Sequence, residues 1–257
     1  VSVLLAVDVG NTQTVFGVFE GEELRGRWRI STEASRTPDE LAAVCAALLE
    51  LRGLRLEEVR AFVISSVVPV LTRSYCHLAE DYLNARFLSV GPEIETGMPN
   101  RYDDPSAVGA DRIVNAVAAR TLYGAPVIIV DSGTATTVCA VGRDGEYLGG
   151  AIFPGLHVAL DALISRAARL PAVDIEERPP KAIATNTPDS IRSGFVYGYA
   201  GAVDALVRRF REELGSGAAS VATGGVAPAI VPHCREIDHC EPDLTLKGLR
   251  ILYELNS

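Results

Sequence analysis

The 257-residue chain reads as an α/β protein built from two subdomains of one architecture. Three observations predict this. First, Leu4-Leu5-Ala6-Val7-Asp8-Val9-Gly10-Asn11-Thr12-Gln13-Thr14-Val15 passes from an apolar strand through a Gly/Asn/Thr turn into a second strand. Val127-Ile128-Ile129-Val130-Asp131-Ser132-Gly133-Thr134-Ala135-Thr136-Thr137-Val138 does the same halfway along. Second, each hairpin is followed by a third strand and then by helical patterns mixed with apolar runs. Third, no linker-like segment separates the halves. The expected division is therefore 1–108 and 109–257, working as one unit with a cleft between them.

The elements follow in order. Strands are expected over 3–8 and 14–19, with Gly21 turning the chain into an alternating strand over 24–30. Thr37-Pro38-Asp39-Glu40 is a helix start, with Thr37 as N-cap, Pro38 at N1 and Glu40 closing a capping box. The helix over 39–51 places Leu41, Val44, Cys45, Leu48 and Leu49 on one face. The apolar run 61–68 is a buried strand, 72–84 a helix and 87–90 a short strand. Residues 91–105, rich in Gly and Pro, form a loop, and 109–123 a helix. The second half repeats the plan with strands at 126–130, 137–141 and 146–152. A helix over 155–169, a Pro-rich loop over 171–188 and a long helix over 188–214 come next. A strand at 220–223 and a closing helix over 246–255 complete the chain.

Composition narrows the function classes. Nearly half the residues, 48%, are hydrophobic, enough for a substantial core. The formal net charge of −9, with no basic run, argues against a nucleic-acid partner, which needs a basic face. The apolar stretch at 1–8 lacks the cationic flank and cleavage signature of a signal peptide, and no stretch approaches the roughly 18 apolar residues of a membrane helix. Cys45, Cys76, Cys139, Cys234 and Cys240 are odd in number and dispersed, which reads as reduced, mostly core cysteines of a cytoplasmic protein.

The repeated hairpins suit phosphate oxygens. Glycine allows close backbone approach, and amides and small hydroxyls donate to an anion. Asp8 and Asp131 end their strands; a carboxylate beside a polyphosphate implies a cation between the two. No Gly-Lys-Ser/Thr loop and no G-x-G-x-x-G is present, and each turn leads into a strand rather than a helix. Asp111 stands at the first turn of the helix following the long loop. It is a candidate general base, although Asp in that position is also a common cap. The helix N-terminus is expected to favour its ionised form. Arg112 beside it suits a carboxylate or phosphate.

Duplicated Asp-tipped hairpins resemble those of the actin-like ATPase and sugar kinase superfamily, with ribonuclease H-like subdomains. Within it, Asp8-Val9-Gly10-Asn11-Thr12, Gly109-Ala110-Asp111-Arg112, Asp131-Ser132-Gly133-Thr134-Ala135-Thr136 and Gly149-Gly150-Ala151-Ile152-Phe153-Pro154-Gly155, spread in order over the chain, resemble the type III pantothenate kinases. The resemblance implies ATP-dependent phosphorylation of pantothenate to 4′-phosphopantothenate, the first step toward coenzyme A, with Asp111 accepting the proton. It implies ATP contacts at Asp8, Val9, Gly10, Asn11, Thr12, Gln13, Thr14, Val15 and Thr134. Pantothenate contacts follow at Tyr102, Gly109, Ala110, Asp111, Arg112 and Thr187. Asp131 is expected to hold a monovalent cation, potassium or ammonium, and Asp8 magnesium brought with ATP; sequence alone does not separate these two assignments. A homodimer is expected, with the small residues of the 188–214 helix permitting close packing.

Alternatives stand beside several of these. Tyr102 reads equally as a surface aromatic, Thr187 as the N-cap of the helix at Pro188, and Thr223-Gly224-Gly225 as either an adenosine contact or a strand-end turn. His233, Cys234, His239 and Cys240 lie close enough for a zinc site, but their spacing is not that of a usual finger or ribbon. A solvent-facing turn with two buried cysteines is the competing expectation. Two other functions remain open on the same fold: a kinase for another small hydroxylated substrate, and a nucleotide-binding regulator without catalysis.

Overall fold

The computed structural model describes residues 3–167, 169–175, 177, 179 and 181–257. It divides into two compact units. One comprises Val1–Gly97, Asp103–Ala118 and Leu244–Ser257; the other comprises Met98–Tyr102 and Ala119–Asp243. The expected split at 108/109 differs from this division. The start of the 109–123 helix and the C-terminal helix lie in the first unit, and a short piece of the long loop lies in the second.

In the first unit, β1 (Val3–Val9), β2 (Gln13–Glu20) and β3 (Glu23–Ser31) form an antiparallel meander, and β4 (Val59–Ser66) and β5 (Arg86–Ser89) add in parallel on the other side of β1. The sheet order is β3-β2-β1-β4-β5. Helices α1 (Pro38–Glu50) and α2 (Pro69–Tyr82) cover one face. Val3, Leu5, Val7 and Val9 alternate onto that face and meet Leu41, Cys45, Leu71, Tyr75 and Leu78. Each large side chain fully buried there contributes about 1.5–3 kcal/mol. The α1 start carries the full capping box between Thr37 and Glu40. On the opposite face, α7 (Leu244–Leu255) runs against β1, β2 and β4. Gly17 leaves room for Leu246, and Gly248 lets α7 approach the backbone of Val114 in α3 (Ala110–Tyr123).

The second unit repeats this plan. Strands β6 (Val127–Ser132), β7 (Ala135–Val141) and β8 (Tyr147–Pro154) form the meander, and β9 (Ala219–Thr223) and β10 (His239–Cys240) extend it in parallel. The order β10-β9-β6-β7-β8 is that of the first sheet, strand for strand. Helices α4 (Leu156–Arg166), α5 (Thr187–Leu214) and the short α6 (Ala227–Ile230) complete the unit. Val203 and Val207 of α5 pack on Ile128, Val130 and Val138 of the sheet. Buried Asp204 of α5 accepts the backbone N–H groups of Arg235 and Glu236, pinning the chain before β10.

The boundary between the fourth strand and the helix that follows it moved for a local reason. Strand β4 spans Val59–Ser66 rather than 61–68, because Pro69 takes the N1 position of α2 and Val68 becomes its N-cap. The Ser66 hydroxyl caps the exit by donating to the Val68 carbonyl and accepting its N–H. Residue 168 of the expected 155–169 helix and residues 176, 178 and 180 of the expected 171–188 loop lie outside the described residues. Among the described residues, no helix is long and apolar enough to cross a membrane.

Candidate active site

The first hairpin is closed tightly. Asp8 pairs with Val15 and Val9 with Thr14, and the Gly10 N–H donates to the Gln13 carbonyl at 3.1 Å. A Cβ on residue 10 would come within 2.9 Å of that carbonyl, so only glycine closes the turn without a shift. Thr32, just past β3, braces it from behind. Its hydroxyl donates to the Gly10 carbonyl at 2.8 Å and lies 2.9 Å from the Thr14 hydroxyl, and its N–H donates to the Thr12 carbonyl. Thr14 and Val9 are therefore buried parts of the turn's frame, while Asn11, Thr12 and Gln13 are exposed at its tip. Asp8 is half-buried.

In the second hairpin, Asp131 pairs with Thr137 across the meander and with Thr223 of β9. Two glycines from other segments close on this turn. Gly224 has φ +94°, and a Cβ there would lie 2.5 Å from Asp131 Oδ1 and 2.6 Å from the Ser132 carbonyl oxygen. A Cβ on Gly155 would lie 2.3 Å from the carbonyl oxygens of both Gly133 and Thr134. The two glycines thus let neighbouring segments press on the turn, with the Ser132 carbonyl accepting the Val226 N–H and the Thr134 carbonyl the Gly155 N–H, and Thr134 is exposed at the tip. A carboxylate such as that of Asp131 suits a hard cation, potassium or magnesium, better than a softer metal.

Asp111 lies in the first turn of α3, in the same unit as Asp8. Its Oδ1 accepts the Arg112 N–H at 2.9 Å, and a Cβ on Gly109 would stand 2.6 Å from that oxygen. Gly109 therefore makes the space the carboxylate occupies. Burial raises the Asp111 carboxyl above the usual carboxylate range; the Arg112 N–H and guanidinium pull the other way without cancelling it. The expectation that the helix start favours its ionised form is corrected here: desolvation outweighs it, and the group is a stronger base than an exposed aspartate. Arg112 is buried.

Tyr102, Asp131, Thr134 and Thr187 belong to the other unit. Tyr102 does not sit loosely on a loop. The Arg101 N–H donates to the Tyr147 carbonyl and the Tyr147 N–H to the Pro99 carbonyl, both at 2.8 Å, and the Tyr102 ring packs over Gly149, whose φ is +124°. Asn186, not Thr187, caps α5 by accepting the Asp189 N–H at 2.9 Å. Thr187 is the first helical residue and lines an apolar cavity of about 660 Å³ with Phe153, Leu163, Gly194, Phe195 and Gly198.

The zinc alternative finds other uses for its residues. Cys234 is half-buried, with its thiol pushed up to about 12 by burial and by the Asp204 carboxylate. His239 stacks on Tyr123 at 4.6 Å, and Cys240 is exposed on edge strand β10 rather than buried. Among the described residues, no three His, Cys, Asp or Glu side chains are grouped to hold a metal ion. All five cysteines are free thiols, and only Cys45 and Cys139 are core residues.

One residue near Asp8 escaped the sequence reading. Ser65 of β4 stands opposite Asp8 in the parallel register, is fully buried, and has no hydrogen-bond partner for its hydroxyl among the described residues. The available signal was a serine ending an apolar strand core.

Two sheets of one strand order, each with an Asp-tipped Gly/Thr hairpin after its first strand, are the architecture of the actin-like ATPase and sugar kinase fold. The inorganic polyphosphate/ATP-glucomannokinase of an Arthrobacter species shares that fold, with a TM-score of 0.52 at 15% identity over 100% of both chains. A family model described as type III pantothenate kinase matches residues 4–209. The type III pantothenate kinase of Rubrobacter xylanophilus is 66% identical over 99% of this chain and 98% of its own. That of Geobacter sulfurreducens is 51% identical over 98% and 99%. The chain belongs to the type III pantothenate kinase family.

Proposed function

We propose that the chain transfers the γ-phosphoryl group of ATP to the terminal hydroxyl of pantothenate, the first step toward coenzyme A. The end-to-end likeness to the type III pantothenate kinases carries this reading. The hydroxyl oxygen bonds to the γ-phosphorus as the bond to the β-bridging oxygen breaks, ADP departs, and the hydroxyl proton passes to Asp111. The raised basicity of Asp111 supports that role. The Asp8 hairpin, with exposed Asn11, Thr12 and Gln13, and Thr134 of the second hairpin would bind the triphosphate; the buried Thr14 and Val9 would keep the first turn in shape. Gly109, Ala110 and Arg112, with Tyr102 and Thr187, would hold pantothenate, the guanidinium answering its carboxylate. Magnesium, through Asp8, and a potassium or ammonium ion, at Asp131, would supply charge neutralisation along the triphosphate.

A homodimer is part of the proposal. The cavity beside Thr187 is apolar, and Gly194 and Gly198 on its α5 wall have nothing within 4 Å of where a Cβ would be, leaving room for a second copy. A cytoplasmic location agrees with five unpaired thiols.

A coupled assay of ATP consumption with pantothenate, with a hexose, and with no acceptor tests the function. Turnover with pantothenate that disappears in Asp111→Ala is the expected result. Hexose turnover would move the reading to a sugar kinase, and tight nucleotide binding without turnover to a regulator.

A further inference from the structure

Strand β4 presents two serines in succession, and they are not equivalent. Ser66 is satisfied locally through Val68. Ser65 is completely buried, and its hydroxyl has no partner among the described residues. The rest of the strand core, Ala61-Phe62-Val63-Ile64, is apolar, so a valine or alanine at 65 would fold without leaving a polar atom stranded. A native orphan of this kind calls for a partner absent from the bare chain, such as an ion or an ordered water.

Its place points to that partner. Phe62 and Ile64 face the α1/α2 core, so Ser65 faces the opposite side of the sheet. Asp8 alternates with Val7 and Val9, which also face that core, and therefore shares the face of Ser65. The two are register partners on adjacent parallel strands. Such strands run about 4.8 Å apart, a gap that one water bridges between a hydroxyl and a carboxylate. Both residues stand at the C-terminal ends of their strands, where open α/β sheets bind ligands.

We propose that Ser65 is a positioning residue for the magnesium–nucleotide complex, its hydroxyl held in reserve for a metal-bound water shared with Asp8. This rests on the reading of Asp8 as the magnesium-facing carboxylate.

The test measures ADP binding by calorimetry, with and without magnesium, for the parent chain, Ser65→Ala, Asp8→Asn and the double variant, together with the melting temperature of each unliganded protein. Ser65→Ala is expected to melt no lower than the parent, because it removes a stranded hydroxyl. Its magnesium-free ADP affinity should stay within about twofold, while the gain in affinity on adding magnesium falls about tenfold. The double variant should be no worse than Asp8→Asn alone. Full magnesium enhancement in Ser65→Ala, with loss in Asp8→Asn, would overturn the role of Ser65 and leave Asp8 standing. Full enhancement in both would overturn the Asp8 reading as well. Should Ser65→Ala fail to fold, Ser65→Cys keeps the side-chain size with a much weaker donor and is judged by the same criteria.

Discussion

Gly109→Ala tests whether Asp111 is a placed base. The added Cβ would stand 2.6 Å from Asp111 Oδ1, against an ordinary contact distance of 3.4 Å, so the carboxylate must retreat by about 0.8 Å. A misplacement near 1 Å at a reacting group costs on the order of 100-fold in rate, so kcat should fall by about 10- to 100-fold. Stability should barely move. The backbone at 109 has no positive φ, so alanine is tolerated there, and shortening the unfolded ensemble returns about 0.4–1 kcal/mol. That offsets about 0.5–1.5 kcal/mol for an off-rotamer aspartate. The retreat also takes Oδ1 away from the Arg112 N–H, which holds the carboxyl pKa down, so the acid limb of the kcat–pH profile should move upward. The assay is pantothenate-dependent ATP consumption across pH, beside thermal melting. A kcat within about threefold of the parent, with unchanged melting, would refute the placement argument.

Asp111→Asn should abolish turnover yet raise the melting temperature at neutral pH. The folded carboxyl pKa lies above its unfolded value, so the ionised group destabilises the fold above the folded pKa, and the penalty fades as pH falls toward the unfolded value; the gain in Tm should shrink over that same acidic window. Gly224→Ala places a side chain at φ +94° and against the Ser132 carbonyl oxygen; with about 1–2 kcal/mol of backbone strain before the clash is counted, melting should drop by at least about 2–4 °C and activity by more than about tenfold. Gly198→Trp points into open space in one copy of the chain, so it should fold; sedimentation should show the parent as the proposed dimer and the variant as a monomer, and a dimeric variant would refute the groove as the interface.

Much of this was legible in the sequence because the signals were local. The capping box at Thr37, the Pro in the first turn of α5 and the turn residues of the two Asp-tipped hairpins are each marked by residues within four or five positions, even though Thr32, Gly155 and Gly224 brace those turns from afar. What the sequence hid depends on distant partners. The two residues of β10 qualify as a strand only through pairing with β9, and no periodicity marks so short an edge. Helix α7 shows its amphipathic face plainly, but its partners, β1 and Val114, lie more than a hundred residues earlier, so its return to the first unit could not be read. Asp111 was found by its neighbours in Gly-Ala-Asp-Arg, whereas its raised basicity comes from burial, which spacing does not report. Ser65 has the same explanation: its meaning lies in the parallel register with Asp8, a pairing across 57 positions.

The duplicated sheet gives both hairpins the same address, yet their braces differ, and the difference fits a division of labour. The first turn is held by a side chain, Thr32, which bonds the Gly10 carbonyl from behind and leaves the tip side chains Asn11 and Thr12 exposed. The second is held by backbone approach, with Gly155 and Gly224 closing on the carbonyl oxygens of Ser132, Gly133 and Thr134. A turn braced through a hydroxyl keeps a tip of donors suited to an anion. A turn wrapped by glycines turns its carbonyls onto neighbouring backbone, Ser132 to the Val226 N–H and Thr134 to the Gly155 N–H, beside the Asp131 carboxylate. Topology alone would predict two interchangeable phosphate loops. The side-chain brace on one and the glycine pair on the other make them chemically unlike, which supports the proposal that Asp8 and Asp131 face different ions although their strands and register partners correspond.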